Sequence, residues 1–209
     1  MMKISILGAI SFASIYYAQA YPASLISEPL KKNASAVIRN EQTTVEINKI
    51  DEIIYKNFSA VTVLNKDAVP FASPKIFYEK GDVISDVKVT IYDEKGSKIK
   101  SFSKSDFSDV ASNPQGTFYS DSRAMFLSYT PTSFPYTVEF SYEQKDRNTV
   151  FIPDFTPFSN YNLSLEKSSF KVINKSGINL RSKVYESPYQ YAVAKSSGSG
   201  NELTYQFEN

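Results

Sequence analysis

The sequence predicts a mostly β protein, built as an antiparallel β-sandwich. In several segments apolar and polar residues alternate with the two-residue period of half-buried strands, and turn residues separate these segments at short intervals. No segment of ten or more residues has the periodicity of an amphipathic helix, and the ten prolines are scattered so that they would interrupt one. Because short strands without helical crossovers form sheets that pack face to face, a sandwich is the expected architecture.

The first 20 residues predict a secretory signal peptide. Lys3 precedes an apolar stretch from Ile4 to Tyr17, and the sequence AQA at positions 18–20 places small residues where a signal peptidase cuts. The apolar stretch is shorter than the roughly 20 residues that a membrane-spanning helix needs, so we expect no transmembrane segment. We therefore expect an exported protein of the periplasm or cell envelope.

Residues 21–33 contain two prolines and little periodicity, and we expect them to form an exposed lead-in. The sandwich domain is predicted over residues 34–158. The proline-rich sequence FIPDFTPFSN, residues 151–160, is the expected internal boundary. Residues 159–209 supply further strands, which either complete the first sandwich or begin a second, incomplete one.

Two long segments near the start of the predicted domain have irregular strand patterns. Residues 37–47 resemble one strand whose middle, residues 39–43, is polar on both faces, so we expect this strand at the edge of a sheet. In residues 53–64 apolar side chains occur at both odd and even positions, and therefore on both sides of the expected strand. Either both faces of that strand are covered, or a bulge near residues 56–57 switches its facing.

The later strand patterns are clearer. Residues 87–91 alternate regularly, and the sequence DEKG at 93–96 supplies a turn before residues 97–102 return, which predicts a β-hairpin. Residues 136–143 have the cleanest alternation in the chain and predict a strand with one packed and one wet face. Residues 123–129 predict another short strand.

The end of the chain predicts a final hairpin. The last nine residues, NELTYQFEN, alternate as a half-buried strand does, with the apolar positions in residues 203–207. The sequence SSGSG, residues 196–200, is expected to be the tip that joins this strand to residues 189–194.

The charge balance argues against nucleic acid as a partner. Removal of Lys3 leaves the 22 acidic residues matched by as many basic ones, whereas binding to phosphates requires a clustered positive excess. The most basic stretch, KGSKIKSFSK at residues 95–104, has acidic neighbours on both sides. We expect it to be the solvated outer side of the predicted hairpin.

The chain contains no cysteine and no histidine, which excludes disulfides, a cysteine nucleophile and a serine–histidine triad. The chain also lacks the cysteine and histidine ligands that usually bind zinc and most redox metals. Serines lie near Lys100 and Lys104, but serine is abundant throughout the chain and these pairs lack the defined context of a serine–lysine enzyme. The aspartates match no calcium loop. We expect no catalytic residue, no cofactor and no bound metal; carboxylate- or lysine-based catalysis is the disfavoured alternative.

Several stretches, in this order and spacing, resemble a known family: NASAVIRNEQTTVEI (33–47), VTVLNKDA (61–68), VTIYDEKGSKIKSFSKSDFSD (89–109) and FPYTVEFSYE (134–143). They are similar to a bacterial exported domain of unknown function, common in Bacteroidetes-type proteins, that lies N-terminal to a transglutaminase-like domain. The resemblance covers residues 33–195. It implies a β-sandwich beside a catalytic domain whose cysteine, histidine and aspartate would lie beyond Asn209.

Two functions are therefore considered. The first is a non-catalytic accessory module that positions or recruits substrate for a transglutaminase-like domain in the same polypeptide. The alternative is a free-standing exported binding protein for a polysaccharide or an envelope protein. Aromatic residues near predicted loops are its candidate contacts, and burial in the core is the competing interpretation of the same residues: Tyr119, Phe134, Tyr189 and Tyr191.

Overall fold

The computed structural model describes residues 21–112, 121–148, 152–157, 160–183, 195–199 and 201–209. Within these residues 12 strands form; they are β1 (Ala36–Lys49), β2 (Glu52–Val63), β3 (Lys75–Glu79), β4 (Val83–Tyr92), β5 (Lys98–Ser103), β6 (Ser108–Ala111), β7 (Ser122–Phe126), β8 (Tyr136–Asp146), β9 (Leu163–Leu165), β10 (Lys167–Asn174), β11 (Lys195–Ser199) and β12 (Glu202–Glu208). The helices are short: α1 (Glu28–Lys31) and 3-10 helices at Ala23–Leu25, Lys66–Ala72 and Lys104–Asp106. The predicted signal peptide lies outside the described residues.

The strands form two sheets, which confirms the mostly β prediction. The large sheet has the order β11-β12-β10-β1-β2-β8-β4-β5, with β9 paired to β1 beyond the end of β10, and the small sheet has the order β3-β7-β6. Most pairs are antiparallel, but β1 pairs in parallel with both β9 and β10. Strands β9, β10 and β12, all from the last part of the chain, thus belong to the same sheet as β1.

The side of the large sheet that carries Val45, Ile53, Tyr55, Val61 and Val63 is called the front face below. It supports two apolar clusters. The larger one joins β1, β2, β4 and β8 to the 3-10 helix Lys66–Ala72 and to the residues after β7. A second cluster lies on β1, β2 and β10 at the opposite end of the same face. The small sheet packs on β4 and β8 through the buried side chains of Ile76 and Met125.

The opposite side of the large sheet, the back face, is partly covered by the N-terminal segment. Tyr21, Ile26 and Leu30 are buried, and the last two pack against Val37. The expectation of an exposed lead-in over residues 21–33 is therefore wrong. Three apolar side chains, spaced too irregularly to indicate a regular element, give this segment enough burial to pack on the sheet.

The predicted edge position of β1 is also wrong, because β1 lies between β2 and β10 in the middle of the large sheet. Of the two alternatives for residues 53–64, the bulge near residues 56–57 is wrong, because β2 pairs with β1 and β8 without interruption there. A bulge lies instead in β1, between Ile38 and Asn40. The bulge adds one residue to β1 and so reverses which of its alternate side chains face the front. As a result, Ile38 before the bulge and Glu41 after it both point to the front face.

The β4–β5 hairpin is confirmed. Gly96 adopts a positive φ of 83°, and the amides of Lys95 and Ser97 both donate to the carboxylate of Asp93. β5 is an edge strand with mostly exposed side chains, as expected of a solvated hairpin. At the other edge, SSGSG does not form a tip as a whole: Ser196 to Ser199 belong to β11, and Ser199 pairs with Glu202 of β12. Residues 189–194 lie outside the described residues.

Candidate binding groove

A groove of about 360 Å³ crosses the middle of the front face, between the two apolar clusters. Its floor is one cross-strand row of the large sheet: Phe170 of β10 pairs with Thr43 of β1, Thr43 with Asn57 of β2, and Asn57 with Tyr142 of β8. The Thr43 hydroxyl donates to the Asn57 carbonyl oxygen over 3.1 Å. This row explains why the middle of β1 is polar although the strand is central.

The neighbouring rows widen this floor. Tyr55 and Gln144 pair on one side of the central row, and Glu41 and Ser168 pair on the other. The 13 lining residues come from four strands and one covering segment, and none of them is lysine or arginine: Glu41, Thr43, Tyr55, Asn57, Tyr142, Gln144, Pro153, Asp154, Phe155, Thr156, Ser168, Ser169 and Phe170.

Residues 152–157 cover one end of the groove. The Phe155 ring stacks on Phe170 at 5.8 Å between centroids and lies 6.5 Å from the ring of Tyr205. Asp154 and Thr156 are exposed at the rim. The proline-rich segment expected to be a domain boundary therefore packs on the sheet and forms one wall of the groove.

Glu41 is the charged group of the groove floor. Its carboxylate accepts a hydrogen bond from the Ser168 hydroxyl at 3.3 Å, and among the described residues it forms no ion pair. Burial raises the pKa of Glu41, and the hydrogen bond from Ser168 opposes this only in part. The carboxylate is thus a desolvated acid without a neighbouring cation.

Further acids lie next to the groove beside Tyr55 and Gln144. Gln144 donates through Nε2 to a carboxylate oxygen of Asp82 at 3.0 Å. Burial, together with the charges of Asp146 and Asp82, raises the pKa of Tyr55 to about 12. Burial also raises the pKa of Asp82, and the nearby Asp146 adds to that shift. The groove and its surroundings are therefore negatively charged.

The acidic residues of the back face have a different environment. Glu46 is paired with Lys56 at 2.7 Å and with Lys175 at 2.9 Å, and these lysines lower its pKa by hydrogen bonding. Glu52 at the end of β2 is paired with Lys145 at 2.6 Å. Glu46 and Glu52 thus have lysine partners, whereas Glu41 in the groove has no ion pair with any residue that the structure describes.

Of the candidate contacts predicted from the sequence, the one that the structure describes, Phe134, does not line this groove. Phe134 is described: it precedes β8, its side chain is 38% exposed and its ring lies 5.6 Å from that of Tyr136. Tyr119, Tyr189 and Tyr191 lie outside the described residues. One feature of the sequence indicated the groove, namely the polar middle of β1. The sequence analysis interpreted this stretch as part of an edge strand.

Two other kinds of site are absent from the described part of the chain. It contains no group of three or more acidic residues placed to hold a metal ion. None of its helices is long and apolar enough to cross a membrane. The groove on the front face is the candidate binding site considered below.

Fold and groove together define a β-sandwich module with a polar, aromatic-lined binding groove on its large sheet. Residues 51–209 match the family described as a domain of unknown function with a solved structure (DUF3857), and the chain belongs to this family. The match begins at the start of β2, so β1, which contributes Glu41 and Thr43 to the groove, precedes it. No curated protein matches the sequence.

Solved structures with a similar fold include a protein of Parabacteroides distasonis ATCC 8503 described as a "putative protease", with a TM-score of 0.66 at 13% identity. The superposition covers 84% of this chain and 35% of that one, so this chain spans about a third of the other protein's length. A "putative nutrient binding protein" of Legionella pneumophila has a TM-score of 0.36 at 12% identity over 85% of this chain and 63% of its own. At that TM-score the second similarity supports no conclusion.

Proposed function

We propose that this chain is a non-catalytic accessory module of an exported transglutaminase-like protein, and that it positions or recruits substrate for a catalytic domain beyond Asn209. The observation that carries the proposal is the similarity to the Parabacteroides protein: one fold is shared over most of this chain but over only 35% of a larger protein described as a "putative protease". The resemblance of residues 33–195 to the domain that precedes transglutaminase-like domains supports the same conclusion.

The chemistry of the chain agrees with an accessory role. Its full sequence contains neither cysteine nor histidine, so a cysteine-based active site would have to be supplied by another domain. The groove, in contrast, offers side chains that bind and orient: aromatic faces, two amides, hydroxyls and two carboxylates. Export to the periplasm or cell envelope is part of this proposal and rests on the signal-like first 20 residues.

The test is to read the coding sequence past the codon for Asn209 and to compare two proteins, this chain and the full translated product. We expect a continuation that contains a cysteine followed by histidine and aspartate. The full product should then cleave or cross-link peptides, and this chain alone should do neither. Activity of this chain alone, or a stop codon directly after Asn209, would show that the proposal is wrong.

A second candidate is a free-standing exported binding protein. The observation that favours it is that the groove is complete within this chain, because four strands and the 152–157 segment build it without another domain. In that case a stop codon after Asn209 would be expected, together with saturable binding of a polysaccharide or an envelope protein that is lost when Tyr142 in the groove is replaced by serine.

A further inference from the structure

The groove combines two features that together recognise organic cations. Four aromatic side chains line it: Tyr55, Tyr142, Phe155 and Phe170. A cation over the face of such a ring is attracted by the negative potential of the π-system. The second feature is the pair of carboxylates in the lining, Glu41 on the floor and Asp154 at the rim, with no lysine or arginine beside them among the described lining residues.

Glu41 differs in its environment from two acidic residues on or beside the back face. The chain places lysines against Glu46 and Glu52. Glu41 lies in the cross-strand row next to the central row of the groove. Among the described residues, its carboxylate accepts a hydrogen bond only from the Ser168 hydroxyl. Burying an acid without a cation costs stability, and a ligand that supplies the missing positive charge recovers that cost on binding.

We propose that the groove binds an alkylammonium group, with Glu41 as its counter-ion and the rings of Tyr142 and Phe170 as its walls. The shared chemistry is a primary amine at the end of an aliphatic chain, which comes either from a lysine side chain of a peptide or from a free polyamine. The neighbouring Asp82 and Asp146 add to the negative potential without lining the groove.

A neutral sugar fits these observations less well. Sugar hydroxyls would donate hydrogen bonds to Glu41 and stack on the aromatic rings, but they would leave the buried negative charge uncompensated. The inference deepens the proposed function, on which it rests for the peptide source of the amine. Binding by this chain is measurable whether or not a catalytic domain follows Asn209, so the two ideas fail separately.

The test is an NMR titration of the full ¹⁵N-labelled chain with two matched probes. Nα-acetyl-lysine methylamide carries the ammonium, and Nα-acetyl-norleucine methylamide has the same four-carbon side chain without it. We expect saturable shifts of the groove amides, including those of Thr43 and Asn57, with the lysine probe only. Cadaverine, a free diamine, and cellopentaose, a neutral glucose oligomer, are titrated in parallel.

Two matched variants connect binding to the groove carboxylate. Glu41→Gln keeps the size of the side chain and its hydrogen bond with Ser168, and it should weaken binding of the lysine probe by about tenfold or more. Glu143→Gln removes a carboxylate from the back face of β8, 3.9 Å from the Lys56 ammonium, and should leave the affinity within about twofold. The amide spectrum of each variant confirms that it is folded.

The outcomes separate the alternatives. Tighter binding of the lysine probe than of cadaverine assigns the amine to a peptide, and the reverse order assigns it to a free polyamine. Equal shifts with the norleucine probe, an unchanged affinity of Glu41→Gln, or no binding of any amine would overturn the inference. Binding of cellopentaose alone would overturn it in favour of a glycan site. None of these results alters the test of the accessory role.

Discussion

The strongest test of the fold is the removal of Arg39, the buried cation at the bulge of β1. Its side chain is 5% exposed; Nε donates to a carboxylate oxygen of Glu166, and a terminal nitrogen donates to the backbone carbonyl of Pro22 at 3.2 Å. The guanidinium also lies 5.7 Å from the centre of the Tyr21 ring. Arg39 therefore joins the N-terminal segment and the β9–β10 corner to the central strand.

We expect Arg39→Met to lower the free energy of unfolding by about 2 to 3 kcal/mol. Removal of one partner of a fully buried ion pair lowers the free energy of unfolding by about 3 to 5 kcal/mol. The cost here is smaller because the side chain of Glu166 is 35% exposed, so water takes up part of its charge, and because methionine retains the apolar volume. For a chain of this length the loss corresponds to a decrease in Tm of about 4 to 12 °C.

Urea denaturation followed by circular dichroism measures this difference, with Lys56→Met as the control. Lys56 is 43% exposed and pairs with Glu46 across the back face, so its removal should cost no more than about 1 kcal/mol. The double variant Arg39→Met/Glu166→Gln should recover part of the loss, because it no longer leaves an unpaired carboxylate. A cost for Arg39→Met no larger than that for Lys56→Met would refute the reasoning.

Three further predictions follow from the groove and the hairpin. Burial raises the pKa of Glu41 in the folded state above its ordinary value of 4.5, so the protonated side chain contributes fully to folding stability below that pH, and this contribution is lost as the pH rises through the raised pKa. In urea titrations the wild type should therefore lose stability relative to Glu41→Gln between pH 4 and pH 7. The opposite trend would contradict the burial of this carboxylate. Phe155→Ala should cost about 1 to 3 kcal/mol by the same measurement, less than the loss of a fully buried ring, because Phe155 is half-buried against Phe170; no cost would mean that residues 152–157 do not pack on the sheet. Gly96→Ala should cost about 1 kcal/mol, since φ at this position is 83°, and unchanged thermal stability would show that the turn adopts another conformation.

Local patterns predicted the elements whose formation depends on neighbours in the sequence. The β4–β5 hairpin follows from alternation on both sides of a DEKG turn, and β8 follows from its regular apolar face. Thr137 shows the limit of this approach. Its position on the polar parity predicts exposure, yet it is 1% exposed, because the N-terminal segment covers it and Tyr21 accepts a hydrogen bond from it.

Of the small sheet, only β7 was predicted from the sequence, as a short strand over residues 123–129. Strands β3 and β6 are five and four residues long, so their apolar pattern is too short to distinguish them from loops. They are stabilised by pairing between distant segments, such as Ile76 with Met125, and by packing on β4 and β8. Such contacts become visible only when the chain is folded.

The groove illustrates the same limit for function. Polar residues in the middle of β1 were compatible with an edge strand, because an edge and a binding groove both tolerate polar side chains on a β-strand. The distinction depends on the parallel pairing of β1 with β10, two segments far apart in the sequence. This pairing places Ser168 and Phe170 beside Glu41 and Thr43, so that the polar stretch of β1 forms part of the groove floor.

The sequence by itself determined the β-rich class, the exclusion of cysteine and histidine chemistry, and the strands and turns that local alternation specifies. These depend on composition and on a two-residue period, which can be read from the chain without knowing its path. The tertiary structure alone decided which strand is central, which face the N-terminal segment covers, and that Glu41 lies half-buried in a groove with aromatic rings, without an ion pair among the described residues. Those properties depend on pairing between distant segments, because burial and electrostatic environment belong to the folded arrangement and not to any one stretch of residues.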